Sequence, residues 1–269
     1  QARDRAAGQN NFLDMLADEP PAPEKRDAKT IQRDKDATDF TSAEKLAFEK
    51  RLLGFYVSGH PMNTYIGLSD ALDTFDVDEL LEQADRTPFR LCGIAAGLQK
   101  KLAKKDNRPW VAFTLATKKA SLPLNMFADA YEESGDVLGE NVPVAITGSI
   151  MVRDDGARIN VREVQPLANY VSSNIKRVTW ILHPNHPETR TFLEQLRPIL
   201  DSQSGSTATS FGFLQEDRVV AVADASTALN WKLSGEVFQV LRNHPAVAGV
   251  QLEAKPLEIK EQRRWGKRR

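Results

Sequence analysis

Three of the four histidines are the first residues whose types could support catalysis. His60 stands alone in GFYVSGHP, with no cysteine or carboxylate at metal-ligand spacing, and is predicted to be structural. His183 and His186 in HPNHPE could contact one metal ion, although the prolines predict a turn and no third ligand is near in the sequence. A metal-dependent nuclease that uses these two histidines stays open as an alternative. The sequence contains no phosphate-binding glycine loop, so we expect neither an active site nor a cofactor in this chain.

A basic turn directly precedes two aromatic residues. The residues concerned are Lys100, Lys101, Lys104, Lys105, Arg108, Trp110 and Phe113. Cations beside exposed rings can bind single-stranded nucleic acid, because the cations neutralise phosphates while the bases stack on the rings. The same lysines could instead only keep the tip of a hairpin soluble. The spacing alone leaves both interpretations open.

The segment GQNNFLDML, residues 8–16, concentrates bulky apolar side chains within a polar stretch. Gln9 is followed by two polar residues and then by Phe12 and Leu13. Such a peptide can insert its apolar pair into a surface pocket while the Gln9 amide forms hydrogen bonds at the rim. Burial of Phe and Leu yields about 3–6 kcal/mol before the cost of ordering the peptide, so this contact alone would be weak. The alternative is a strip that packs on a preceding domain.

Composition limits the class of protein that carries these residues. The chain has 269 residues, of which 41% are hydrophobic, and a formal net charge of −1. These values predict two small domains plus tails and argue against a generally basic nucleic-acid binder. The single cysteine, Cys92, and the lack of a long apolar run lead us to expect a cytoplasmic protein. Because the sequence begins with Gln1, we also expect it to be part of a longer protein.

Hydrophobic periodicity predicts a mixed α+β fold of several segments. Residues 1–40 are predicted to be a flexible tail and residues 41–86 a helical connector. Residues 87–170 contain five candidate strands with a short helix between the third and the fourth, which is the order of an OB barrel. Residues 171–256 follow the order strand, helix, strand, strand, helix, strand, which predicts a small ferredoxin-like domain. Residues 257–269 are predicted to be a basic tail.

The segment LLGFYVSGHPMNTY resembles the C-terminal region of the alpha subunit of bacterial DNA polymerase III. In that family a helix before the OB domain ends in a Leu-Gly-x-Tyr-x-Ser/Thr-Gly-His-Pro run. The residues that match this run are Leu53, Gly54, Tyr56, Ser58, Gly59, His60 and Pro61. GQNNFLDMLADEP is similar to the stretch in which the family keeps its internal sliding-clamp motif. The resemblance is strong over residues 8–16 and 46–65, fair through the predicted barrel and weak after residue 175.

The resemblance implies a non-catalytic C-terminal part of a DNA-directed DNA polymerase, a nucleotidyltransferase whose metal-binding carboxylates lie upstream. It implies that Gln9, Phe12 and Leu13 bind the sliding clamp (the beta subunit), which we favour over the packing strip. It further implies that the barrel contacts single-stranded DNA and that residues 171–256 bind the tau subunit of the clamp loader. A free-standing single-strand-binding or scaffolding protein stays open as a second alternative.

Overall fold

The structure, a computed structural model, describes residues 42–53, 57, 59–154 and 156–257. The predicted clamp peptide with Gln9, Phe12 and Leu13 lies outside these residues, and so does most of the predicted basic tail. The described residues after Lys45 fall into one compact unit. None of the helices in the described ranges is long and apolar enough to cross a membrane.

Short helices precede the first sheet. They are α1 (Ser42–Leu53), a 3-10 helix (Pro61–Tyr65), α2 (Leu68–Leu72) and α3 (Val77–Leu80). The 3-10 helix begins after His60, whose Nδ1 accepts a hydrogen bond of 3.3 Å from the backbone N–H of Met62. Pro61 fits this first position, because the N–H that proline lacks would have no partner within the helix. His60 therefore caps a helix, in agreement with the structural role predicted for it.

The first sheet contains five antiparallel strands in the order β3-β2-β1-β4-β5. They are β1 (Pro88–Leu102), β2 (Pro109–Ala116), β3 (Ser121–Met126), β4 (Val142–Arg153) and β5 (Gly156–Pro166), with helix α4 (Ala128–Ser134) between β3 and β4. β1 pairs with both β2 and β4, and the edge strands β3 and β5 contact each other. Five strands with a helix between the third and the fourth agree with the element order predicted for residues 87–170.

Alternating apolar residues decide which face of the first sheet is buried. In β2, Val111, Phe113 and Leu115 are buried, whereas the residues between them are only partly buried. β3 alternates in the same way, with every second residue from Leu122 to Met126 buried. A period of two places successive side chains on opposite faces, so this sheet has one face on the core and one towards solvent.

The second sheet follows helix α5 (Leu167–Asn174). Its elements are β6 (Ile175–Leu182), α6 (Thr189–Ser202), β7 (Ser204–Gln215), β8 (Arg218–Asp224), α7 (Gly235–Arg242) and β9 (Val247–Ala254). The strands are joined in the order β8-β7-β6-β9. β6 and β7 are parallel, and the other neighbouring pairs are antiparallel. The two sheets make the chain a mixed α+β protein, as predicted.

This strand order corrects the ferredoxin-like prediction. The ferredoxin-like fold is a split β-α-β arrangement, in which another strand lies between the two parallel strands. Here β6 and β7 are direct hydrogen-bonded neighbours. The burial pattern agrees with this order: β7 contains the buried Thr207, Thr209 and Ser210, whereas all seven residues of β8 are exposed. β7 therefore occupies the interior position beside β6, and β8 forms the edge.

The core beneath the second sheet extends into the first sheet. Leu68 and Leu72 of α2, Cys92 of β1 and Ala145 of β4 are buried in the same cluster as Trp180 of β6. Leu80 of α3 belongs instead to the core of the first sheet. The segment predicted as a helical connector thus contributes side chains to both cores.

A polar cluster lies beside this shared core. The Asp73 carboxylate accepts a hydrogen bond of 2.6 Å from the backbone N–H of Cys92. Arg90 is only 4% exposed; its Nε donates to the Leu72 carbonyl, and its Nη1 donates to the Lys255 carbonyl at 3.3 Å. Burial raises the pKa of the Asp73 carboxyl to about 7.

Candidate nucleic-acid interface

An aromatic pair lies on the solvent-facing side of the first sheet. The ring centroids of Trp110 and Phe127 are 6.2 Å apart, and the ring planes are inclined by 35°. The register that pairs Val111 with Met126 brings Trp110 opposite Phe127 one step further along, on the face away from the core. Phe127 is 55% exposed, so part of this aromatic surface is open to solvent.

Strand β1 adds a cation to the pair. Lys101 is the cross-strand neighbour of Trp110, and its Nζ lies 5.3 Å from the ring centroid, within the range of a cation–π interaction. Lys100 points to the opposite face by strand alternation, and Lys104 and Lys105 are exposed in the turn that follows. Within the described part of the chain, Lys100, Lys104 and Lys105 make no ion pair. Their charge is therefore available to an anionic ligand.

Arg108, at the end of the same turn, is occupied by carboxylates. Its Nε and Nη2 donate to the two carboxylate oxygens of Glu132 at 3.0 and 2.6 Å, and its Nη1 lies 2.7 Å from Asp129 Oδ1. These bonds raise the pKa of the Arg108 guanidinium and lower the pKa of the Glu132 carboxyl. Three of the five N–H donors of the guanidinium are thus engaged by carboxylates, and the contact of Arg108 with nucleic acid stays a prediction.

The prediction that Phe113 stacks on bases is wrong. Phe113 is 4% exposed, because it lies three residues from Trp110 and therefore on the opposite, core-facing side of β2. Phe127 is the aromatic residue that sequence reasoning missed. Its signal is present in SLPLNMF: the apolar residues 122, 124 and 126 alternate, and Phe127 follows them out of phase.

The turn between β2 and β3 is also basic, but its lysines are paired. Lys118 Nζ lies 3.1 Å from Asp70 Oδ2, and Lys119 Nζ lies 2.6 Å from Asp76 Oδ2. These pairs tie the turn to the segments around α2 and α3. The unpaired lysines beside an exposed ring therefore belong to the β1–β2 turn.

His183 and His186 organise the start of α6. His186 Nδ1 accepts a hydrogen bond of 3.2 Å from the Glu188 backbone N–H, and the His183 carbonyl accepts one of 2.6 Å from the Thr189 hydroxyl. In the ranges that the structure describes, no three His, Cys, Asp or Glu side chains converge as metal ligands. The nuclease alternative thus finds no third ligand among them.

These features define the class of the molecule as a mixed α+β protein with two sheets. The chain is 24% identical over 256 residues to DNA polymerase III subunit alpha of Haemophilus influenzae, a match that covers 94% of this chain and 21% of that subunit. It is 25% identical over 169 residues to the same subunit of Saccharopolyspora erythraea, covering 61% of this chain and 14% of that subunit. The chain thus spans about a fifth or less of these relatives, and its resemblance to part of the DNA polymerase III alpha subunit is confirmed.

No protein-family model matches the chain. Among solved structures, it has 8% identity and a TM-score of 0.24 to Rim1, a mitochondrial single-stranded DNA binding protein of S. cerevisiae, covering 30% of this chain and 91% of that chain. It has 11% identity and a TM-score of 0.27 to a replication protein A heterotrimer bound to single-stranded DNA, covering 51% of this chain and 32% of that chain. TM-scores this low do not establish a shared fold.

Proposed function

We propose that this chain is a non-catalytic segment of a DNA polymerase III alpha-type subunit, and that it binds single-stranded DNA during chromosomal replication. The observation that carries the proposal is the grouping of Lys101, Trp110 and Phe127 on one solvent-facing surface beside unpaired lysines. Bases can stack on the ring pair while lysines neutralise the phosphates, and each stacked base is worth roughly 1–3 kcal/mol. The similarity to alpha subunits supports the assignment to replication.

We also propose that the first sheet is an OB-type barrel. β1 pairs with both β2 and β4, and β3 contacts β5, which supports a five-stranded sheet that curls towards closure. OB folds bind oligonucleotides on the face of strands two and three and through the loop between strands one and two. Trp110, Phe127 and the lysine turn have this arrangement. The small Ala112 and Thr114 follow Trp110 on the same face and leave room for a strand of DNA.

Trp110→Ala should weaken binding of a labelled oligothymidylate by about 5- to 150-fold, because one stacking surface is removed. Fluorescence anisotropy at constant salt measures the change. Leu102→Ala is the matched control: Leu102 belongs to the same hairpin and is 61% exposed, but alternation directs it to the face opposite Lys101. Equal affinities for the wild type and the Trp110 variant would contradict the proposed surface.

The lysines have a separate test. Lys101→Glu with Lys104→Glu should lower the affinity and reduce the slope of log K against log salt by about 0.7 for each phosphate that is no longer neutralised. Lys118→Glu with Lys119→Glu changes the charge equally in the other turn, where both lysines are already paired with carboxylates. Equal effects of the two double variants would indicate a response to net charge and not to this surface.

We further propose that the peptide with Gln9, Phe12 and Leu13 binds the sliding clamp, and that residues 171–256 bind the tau subunit of the clamp loader. The resemblance of residues 8–16 to the internal clamp motif of the family supports the first assignment. For the second, the support is the position of this segment after the predicted barrel, as in the family.

Phe12→Ala with Leu13→Ala should lower the affinity for purified clamp by at least roughly tenfold, because the apolar burial that holds the peptide is removed. Surface plasmon resonance with immobilised clamp measures this change. Asn10→Ala with Asn11→Ala alters the same peptide without its apolar pair and should leave clamp binding within about threefold. Retained binding by the Phe12/Leu13 variant would overturn the clamp assignment without affecting the DNA surface.

A further inference from the structure

Arg108 comes two residues before Trp110 in the chain, and Asp129 comes two residues after Phe127. The pairing of β2 with β3 ends at Val111 and Met126, and Asp129 lies in the first turn of α4. The distance of 2.7 Å between Arg108 Nη1 and Asp129 Oδ1 therefore joins the β1–β2 turn to the helix that follows β3. Arg108 and Asp129 thus connect the two backbone segments that carry the rings.

Helix α4, which carries Asp129 and Glu132, is itself held against the first sheet. Its Ala130 is buried in the core of the first sheet, and its Ser134 hydroxyl accepts a hydrogen bond of 3.1 Å from the Val164 backbone N–H of β5. Most surface ion pairs contribute little to stability, but a bidentate arginine–carboxylate pair within a network is the exception. Arg108 has this geometry, with both Glu132 oxygens and one Asp129 oxygen around its guanidinium.

The charges around the ring pair are unequally distributed. The β1 side carries Lys101 and the lysines of the turn, whereas α4 carries Asp129, Glu132 and Glu133. Phosphates are therefore attracted to the lysine side and repelled by α4. Arg108 lies on the acidic side, and each of its three nitrogens already contacts a carboxylate oxygen, which disfavours direct contact with phosphate.

We propose that Arg108 is a positioning residue: it fixes the Trp110–Phe127 surface by tying the β1–β2 turn to α4, and it does not bind phosphate. The relevance to DNA rests on the proposed function. The contacts of Arg108 with Asp129 and Glu132 do not require DNA, so their effect on the position of Trp110 can be tested in the free protein.

The experiment compares Arg108→Met with Asp129→Asn/Glu132→Gln. The first variant removes the guanidinium of these ion pairs, and the second removes both carboxylates. Both are made in a Trp265→Phe background, because Trp180 and Trp231 are fully buried and Trp110 then dominates quenching by acrylamide. We expect both variants to increase the Stern–Volmer constant of Trp110 in the free protein. We expect Arg108→Met to weaken oligothymidylate binding by roughly three- to tenfold with an unchanged salt slope. Arg190→Met, which removes an exposed pair with Glu194 on α6, should change neither readout.

Two outcomes would overturn the proposal. A salt slope that falls by about 0.7 in Arg108→Met would mean that Arg108 binds a phosphate directly. Unchanged quenching of Trp110 in both variants would mean that the tie does not position the ring. If the parent protein does not bind oligothymidylate at all, the proposed function fails, and the quenching results still decide the role of Arg108.

Discussion

Asp73→Asn should raise the free energy of unfolding by about 4 kcal/mol at pH 8. Burial raises the pKa of the Asp73 carboxyl from 3.8 to about 7, although the hydrogen bonds with Cys92 and the charge of Arg90 favour the ionised form. Between these two values the folded state retains a proton that the unfolded state has released. The proton retained by Asp73 therefore contributes fully to the free energy of unfolding of the wild type below pH 3.8. This contribution is lost as the pH rises to about 7. Asparagine keeps the oxygen that accepts from Cys92 and carries no charge.

Urea titrations at two pH values measure this effect. We expect the difference between variant and wild type to narrow to about 2 kcal/mol at pH 5, where folded Asp73 is mostly protonated. Asp201→Asn is the control, because Asp201 is exposed, pairs with Arg197 on α6 and is not among the groups that shift the pKa of Asp73; it should change stability by at most about 0.5 kcal/mol at either pH. The same difference at pH 5 and pH 8 would show that ionised Asp73 carries no cost in the folded protein.

Trp180→Ala should lower the free energy of unfolding by about 3–5 kcal/mol. Trp180 is fully buried, and its ring centroid lies 5.8 Å from that of Phe192 on α6 and 5.9 Å from that of Phe238 on α7. Removing the ring leaves a cavity between both helices and β6. Because Cys92 of β1 belongs to the same cluster, we expect the loss of stability to reach the first sheet.

The reactivity of the Cys92 thiol reports whether the loss of stability in Trp180→Ala reaches the first sheet. Cys92 is the single cysteine, it is 1% exposed, and burial raises the pKa of its thiol, so a disulfide reagent reacts mainly after opening. We expect Trp180→Ala to accelerate labelling by at least about 100-fold. Val240→Ala, on the exposed side of α7, should not change the rate. Unchanged labelling in the Trp180 variant, despite lower stability, would mean that the two sheets open independently.

Local patterns in the sequence predict the elements well. The alternation in β2 identifies Val111, Phe113 and Leu115 as one face, and the isolation of His60 indicates a structural role that its bond to Met62 explains. The prediction that Phe113 belongs to the DNA surface rests on its aromatic type and its nearness to the lysines. Strand alternation places Phe113 on the other face of β2 from Trp110, so the sequence already contains the information that corrects this prediction.

Other features depend on tertiary contacts that no local pattern contains. Arg108 is satisfied by Asp129 and Glu132, which are more than twenty positions away and approach only when α4 packs beside β2. The order of β6, β7 and β8 depends on pairing between strands, and RVVAVAD lies exposed at the edge although it is rich in valine and alanine. Sequence reasoning could therefore predict four strands and two helices but not which strand lies at the edge.

Helix α2 is followed by the whole first sheet in the chain, yet its Leu68 and Leu72 lie in the core beneath the second sheet. During synthesis these leucines leave the ribosome before the second sheet, and until that sheet has emerged they lack the part of their core that it supplies, including Trp180. A nascent chain that carries only the five strands of the first sheet should therefore present an apolar helix to chaperones. A protein truncated after β5 would lack the second sheet permanently and would keep Leu68 and Leu72 exposed.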